Sequence, residues 1–255
     1  MSNFQNELEL WDAVLSTACR FQNLFNEKPV LVGGTAVAIY TNNRISYDND
    51  HILNNLKEHY QEILDTLDNV VGWKTNRIQK PVLILGSLDG IETGIRQLRR
   101  TEPLEKRNYI LKQGSIVLPT EAELLRIKGF LILMRNATRD YLDFLAMVDY
   151  LGIEKSLNAL LNFDKLYQDV YNKENSALFQ LTLQLSKLMP YDINDIPLQE
   201  YKLLKDKWQN LDNLKKFANN FSFCLFTKNI CENYEIKETQ QNIIISTDKG
   251  TLPSL

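Results

Sequence analysis

The segment that most restricts how this chain can fold runs from Pro29 to Asp50. Pro29-Val30-Leu31-Val32 is a four-residue apolar run that enters Gly33-Gly34-Thr35 directly, and small residues follow from Ala36 to Tyr40. A short apolar run bounded by proline and glycine reads as a buried strand. A strand that turns through two glycines straight into a helix must lay that helix back on the sheet it has just left, which commits this region to α/β layering. Asn42-Asn43 marks the helix end, and Asp48 to Leu53 reads as a second strand.

The same logic extends along the chain. Leu8, Trp11, Leu15, Ala18 and Phe21 recur three or four apart, which predicts a helix over 4–25. Another helix is expected over 56–67. Pro81 to Leu85 reads as a strand, and Asp89-Gly90 is a hairpin signal, because a type I′ turn needs positive φ at both central residues. The return strand, 91–98, then places Ile91, Thr93, Ile95 and Gln97 on one face and Glu92, Gly94, Arg96 and Leu98 on the other. Past Pro119 the pattern becomes helical. Thr120 with Glu123 three residues on is a capping-box signature. Helices are expected over 121–136, 139–151, 154–161, 176–188 and 198–221, with Pro190 and Pro197 bracketing a polar linker. The expected organisation is an α/β core over 1–118, a helical domain over 119–235 and a loose polar tail over 236–255.

Composition narrows the chemistry. The net charge is −3, so no global basic field draws in nucleic acid. Three cysteines, Cys19, Cys224 and Cys231, form no CxxC pair, and the only histidines are His51 and His59, which argues against a zinc site. The first residues carry acids and no basic stretch before an apolar run, unlike a signal peptide. The longest apolar stretch, Phe130 to Met134, is too short to span a bilayer. A soluble, cytoplasmic protein without membrane contact is expected.

Asp48-Asn49-Asp50 carries the clearest chemical signal. Side chains alternate along a strand, so acids two apart point the same way. Paired carboxylates suit magnesium, with manganese as an alternative, because hard cations take oxygen ligands. Upstream, Gly33 and Gly34 allow backbone amides to approach a phosphate at a helix N-terminus. Together with Thr35, Arg44 and Ser46 this ordering makes a coherent phosphate-plus-metal site.

The run LVGGTAVAIYTNNRISYDNDHI (Leu31 to Ile52) resembles the AbiEii/AbiGii toxin nucleotidyltransferases, within the polymerase-β-like superfamily. LRIKGFLILMRNATRDYLDFLAMVDYLG (Leu125 to Gly152) is similar to a second motif of that family, at Lys128, Arg135, Arg139-Asp140 and Asp143. The resemblance implies a polymerase-β-like core with a mixed sheet, magnesium, and a nucleoside triphosphate as substrate. It also implies transfer of a nucleoside monophosphate to an acceptor hydroxyl. Relatives act as toxins of toxin–antitoxin or phage-defence pairs, some on the tRNA acceptor end, which implies an RNA acceptor and a cognate antitoxin. On this basis Asp48, Asp50, Lys128 and Asp143 are the candidate catalytic residues. Gly33, Gly34, Thr35, Arg44, Ser46, Arg96, Arg135 and Asp140 are candidates for nucleotide binding. Asp48 and Asp50 are the candidate metal ligands, and Glu92 is the candidate third carboxylate. Asn49 departs from the family, where an aliphatic residue is common between the acids, and suggests a short or partly exposed strand.

Other readings remain open from sequence alone. Lys128, Asp140 and Asp143 form either a site or a helix–helix salt bridge. The cations Arg96, Arg99, Arg100, Lys106, Arg107 and Lys112 make either a solvated loop or an RNA-facing patch, with Tyr109 as a stacking residue. His51 is either a phosphate contact or a half-buried core residue. The function itself has two alternatives: nucleotidylylation of a protein hydroxyl, and an inactive RNA- or protein-binding regulator.

Overall fold

The computed structural model describes residues 3–171 and 174–228. Helix α1 (Asn3–Gln22) leads into β1 (Val30–Leu31), α2 (Gly33–Thr41), β2 (Asp48–Leu53) and α3 (Tyr60–Asp68). Strands β3 (Trp73–Gln79), β4 (Leu83–Leu88) and β5 (Ile91–Gln97) complete a five-stranded sheet of order β1-β2-β5-β4-β3. β2 and β5 run parallel, and the other neighbours are antiparallel, so the sheet is mixed. A separate hairpin, β6 (Lys106–Leu111) and β7 (Gly114–Pro119), precedes the helical part. That part comprises α4 (Glu121–Arg135), α5 (Thr138–Leu151), α6 (Ile153–Leu160), α7 (Phe163–Tyr171), α8 (Ala177–Lys187) and α9 (Leu211–Phe226).

The expected α/β core followed by helices is therefore present. Asp89 (φ 53°) and Gly90 (φ 83°) both adopt positive φ at the β4–β5 turn, as the Asp-Gly signal requires. One face of the five-stranded sheet is closed by α1, α3 and the turn before α3, through Phe21, Leu56, Tyr60, Ile63 and Leu67 against Ile84, Leu88 and Ile95. A larger apolar cluster joins Leu31, Ala36, Val37 and Tyr40 of the N-terminal half to Leu124, Tyr141, Phe144, Leu181 and Phe221 of the helices.

Several expected boundaries change. The helix over 198–221 is instead two 3-10 turns, Leu198–Glu200 and Asp206–Trp208, followed by α9. The Asn210 side chain accepts from the Asn213 amide and starts α9 there, since asparagine offers the backbone a cap in place of a continuing helix. The apolar stripe still serves the core: Leu198, Leu204, Trp208 and Leu214 are buried. The helix over 56–67 begins only at Tyr60, and α7, β3 and the β6–β7 hairpin were not anticipated. β3 is exposed along most of its length and β6 along one side, so neither offers the alternating apolar pattern that marks a half-buried strand. Thr120 caps α4 as expected, accepting from the Glu123 amide at 3.3 Å. Glu123 does not complete the box. It is fully buried and pairs with Arg100 and Arg126, each at 2.9 Å. Cys231, the expected tail over 236–255 and the end of the expected helical domain lie outside the described residues.

Candidate functional site

The alternation of β2 decides which of its side chains reach solvent. Asn49, His51 and Leu53 are buried, while Asp48 and Asp50 are part-exposed on the opposite face. The strand is six residues long and part-exposed along its acid face, so of the two expectations drawn from Asn49, a short or a partly exposed strand, the second is met. Its Asn49 amide donates to the Val14 carbonyl at 3.0 Å, so a polar residue ties β2 to α1. His51 points away from the acids into the core. Its ring packs at a tilt against Phe21 with centroids 4.6 Å apart, and burial pushes its pKa down to about 3 against the raising effect of its backbone hydrogen bonds. A phosphate-contacting His51 is therefore excluded by strand parity, and the residue is wholly rather than half buried.

The strand–glycine–helix unit holds the acids at the start of α2. Val32 donates its amide to the Asp50 carbonyl at 2.8 Å, and the Thr35 hydroxyl donates to the Asp48 carbonyl at 2.5 Å. Thr35 is fully buried and acts on the backbone of the acid strand. Gly33 adopts φ +76°, and a Cβ there would stand 3.3 Å from the Asp50 side chain. A Cβ on Gly34 would stand 2.6 Å from Arg44 Nη2 and 2.7 Å from Ser46 Oγ. Glycine at both positions thus lets the start of α2 lie directly on the acids and their neighbours. No side chain caps that helix end, which leaves its partial positive charge facing the carboxylates. The Ser46 hydroxyl donates to Asp48 Oδ1 at 2.5 Å and fixes its rotamer.

Behind the acids lies a buried chain of charges. Arg44 donates through Nε and Nη2 to the two oxygens of Asp143, at 2.9 and 3.0 Å. Lys128 Nζ contacts the same carboxylate at 2.8 Å and Asp140 at 3.8 Å, and Arg135 binds Asp140 through two bonds of 3.0 and 2.7 Å. Lys128, Asp140 and Asp143 are almost wholly excluded from solvent. Burial alone would raise the Asp143 pKa, but the charges and hydrogen bonds of Arg44 and Lys128 hold it at about 2. Arg44, which burial alone would push down, is raised by the same partner. This is the helix–helix salt bridge of the second reading, extended by Arg44 of the α2–β2 loop, and it leaves the Lys128 ammonium buried on two carboxylates.

Glu92 and Arg96 sit beside the acids on β5. The parallel register sets Glu92 opposite Asp48 and Gly94 opposite Asp50, so Glu92 and Arg96 share the face of the acid pair. Arg96 Nε lies 3.6 Å from Asp50 Oδ1. Among the described residues, no three His, Cys, Asp or Glu side chains converge into a ready-made metal cage. The donor set still fits magnesium, which is commonly held by one or two carboxylates, with water and substrate phosphates filling its octahedron. Asp48 and Asp50 would hold it.

The six cations between Arg96 and Lys112 do not form one patch. Arg100 is buried on Glu123 and Tyr167, Arg107 pairs with Glu121 at 2.7 Å, and Lys112 lies 3.7 Å from Asp12. Tyr109 packs edge-on against Tyr40. Sequence reasoning missed Lys74 and Arg77, which the register of β3 brings to the face of the acid pair. An unrecognised strand gives its side chains no assigned direction.

No protein-family model matches the chain. It is 36% identical over 98 residues to the heme uptake protein MmpL11 of Mycobacterium tuberculosis and to the probable transport protein MmpL11 of Mycobacterium bovis. Those matches cover 38% of this chain and 10% of the relatives. The chain thus spans about a tenth of the length of the curated relatives it matches. No helix among the described residues is long and apolar enough to cross a membrane. In structure, the chain is similar to an antigenic nucleotidyltransferase-like protein from Paracoccidioides brasiliensis, with 14% identity and a TM-score of 0.42 over 62% of this chain and 88% of that one. It is also similar to the antibiotic-resistance factor ANT(2'')-Ia, with 12% identity and a TM-score of 0.46 over 66% of this chain and 96% of that one.

Proposed function

We propose that this protein transfers a nucleoside monophosphate from a nucleoside triphosphate to the hydroxyl of an RNA acceptor, the tRNA 3′ end being the expected target. One observation carries the reading. Asp48 and Asp50 share one face of β2, directly beneath the glycine-lined, side-chain-uncapped start of α2. Triphosphate oxygens need donors and positive potential, and the amides of a helix start provide both. The resemblance of Leu31–Ile52 and Leu125–Gly152 to the AbiEii/AbiGii toxins supports the same reading and adds a toxin role with a cognate antitoxin.

In this reading the acceptor hydroxyl gives its proton to water, its oxygen bonds to the α-phosphorus as the α–β anhydride breaks, and pyrophosphate leaves. Divalent metal, when bound, supplies charge neutralisation and alignment of the triphosphate. The chain's own residues do the rest. Ser46 holds Asp48 in one rotamer, and Thr35 and Val32 brace the backbone of both acids. Asp143 holds Arg44 beneath Gly34, so a guanidinium stands fixed beside the phosphate-binding amides.

The test is incubation with each labelled nucleoside triphosphate, magnesium and total tRNA, beside Asp48→Ala. The expected result is label in RNA that falls at least 100-fold in the variant, with an unchanged circular dichroism spectrum. Label in protein alone would favour nucleotidylylation of a protein. Full activity of Asp48→Ala would overturn the site.

A further inference from the structure

The register of the five-stranded sheet continues the acid pair into three aligned rows. Asp48 stands beside Glu92, then Ser87, then Lys74. Asp50 stands beside Gly94, then Leu85, then Arg77. Ile52 stands beside Arg96, then Leu83, then Gln79. Register neighbours share a face, so the acids on β2 and the cations on β3 look the same way. Helices α1 and α3 close the other face. On this face Glu92, Arg96, Lys74 and Arg77 are exposed, and Ser87 and Leu85 are partly so. Three inter-strand steps separate the acids from β3, about 14 Å. Ser87 and Leu85, which mark the rows of Lys74 and Arg77, are two residues apart on β4, about 7 Å.

We propose that this open sheet face seats the acceptor as a single-stranded RNA. Lys74 and Arg77 hold successive backbone phosphates while the terminal hydroxyl lies at Asp48 and Asp50. The inference rests on the transfer reading and assigns its acceptor surface. Charge complementarity selects the occupant. Lys74 and Arg77 have no carboxylate partner among the described residues, whereas Arg96, the other exposed cation of this face, lies 3.6 Å from Asp50. The ground between acids and cations also selects it. The part-exposed Leu85 side chain lies over Gly94, which has no side chain to lift it, and leaves a low apolar surface on which a base can lie flat. An acidic peptide has charges for Lys74 and Arg77 but nothing that needs that strip.

The test uses the full chain and a fluorescein-labelled single-stranded RNA of mixed sequence, followed by anisotropy at several salt concentrations. Lys74→Glu/Arg77→Glu is compared with Lys155→Glu/Lys187→Glu, which makes the same charge change on exposed lysines of the helical half. The β3 variant should bind at least 10-fold more weakly than wild type and the control. Its salt slope should fall by about 1.4, at roughly 0.7 per lost phosphate contact on a single strand. Equal weakening in both variants, or none in either, would overturn the proposal. The second result would leave the β3 cations as guards against edge-to-edge pairing. Binding of polyglutamate but not RNA would also overturn it. Magnesium-dependent binding of fluorescent nucleoside triphosphates should be equal in all three proteins. Its absence from wild type would overturn the transfer reading, yet RNA binding lost only in the β3 variant would still support the surface.

Discussion

At the scale of single residues, Asp143 joins the α2–β2 loop to α4 through two cations. Its carboxylate is fully buried and serves two cations, Arg44 of the α2–β2 loop and Lys128 of α4. Replacing it by asparagine removes the charge but keeps the shape, leaving two buried cations on a neutral amide. Breaking one side of a buried ion pair costs roughly 3–5 kcal/mol. We expect Asp143→Asn to lose that much in urea denaturation, and an unchanged midpoint would contradict the network. The pH dependence has a defined sign. Because the folded pKa of about 2 lies below the ordinary 3.8, the stabilisation is complete above pH 4 and fades as pH falls from 4 through 2. Its size is roughly 2–3 kcal/mol. The acid limb of a stability–pH curve should therefore be shallower in Asp143→Asn than in wild type.

At the scale of elements, the β4–β5 hairpin sets the register that brings Glu92 and Arg96 beside the acids. Asp89 and Gly90 hold the left-handed backbone of its turn, and the Asp89 carboxylate pairs with Arg20 of α1. A Cβ on Gly90 would meet nothing within 4 Å, so substitution there isolates backbone strain from packing. Gly90→Ala should cost about 1–2 kcal/mol, seen as a lower urea midpoint at constant slope. A neutral effect would mean that the turn relaxes without passing strain to the strands. The hairpin was legible in sequence because a two-residue turn depends on local φ alone. Its neighbour β3 was not, because a strand whose side chains mostly face water need not alternate in polarity.

For the molecule as a whole, the two halves share one core. Leu31, Ala36, Val37, Tyr40, Ile116 and Leu118 pack with the buried faces of α4, α5, α8 and α9. Main-chain bonds add to this: the Ile45 amide donates to the Lys202 carbonyl at 2.9 Å, and the Lys205 amide to Asn43 at 2.8 Å. The α/β core and the helices packed against it are therefore expected to unfold together. Tryptophan fluorescence and far-ultraviolet circular dichroism should give coincident urea transitions, and a 1–119 fragment should show no cooperative transition. Two separated transitions would mean that the halves fold independently despite the shared core.

Sequence by itself determined what depends on neighbouring residues. The passage from strand through Gly33-Gly34 into α2, the parity that sets Asp48 and Asp50 on one face, and the Thr120 cap all follow from local dihedrals and short periods. Tertiary structure alone decided which face of β2 meets solvent, and so sent His51 into the core. It also joined Arg44 to Asp143 across 99 residues of chain and set Lys74 and Arg77 on the acid face. Those facts depend on distances between elements far apart in sequence, and neither spacing nor composition encodes such distances.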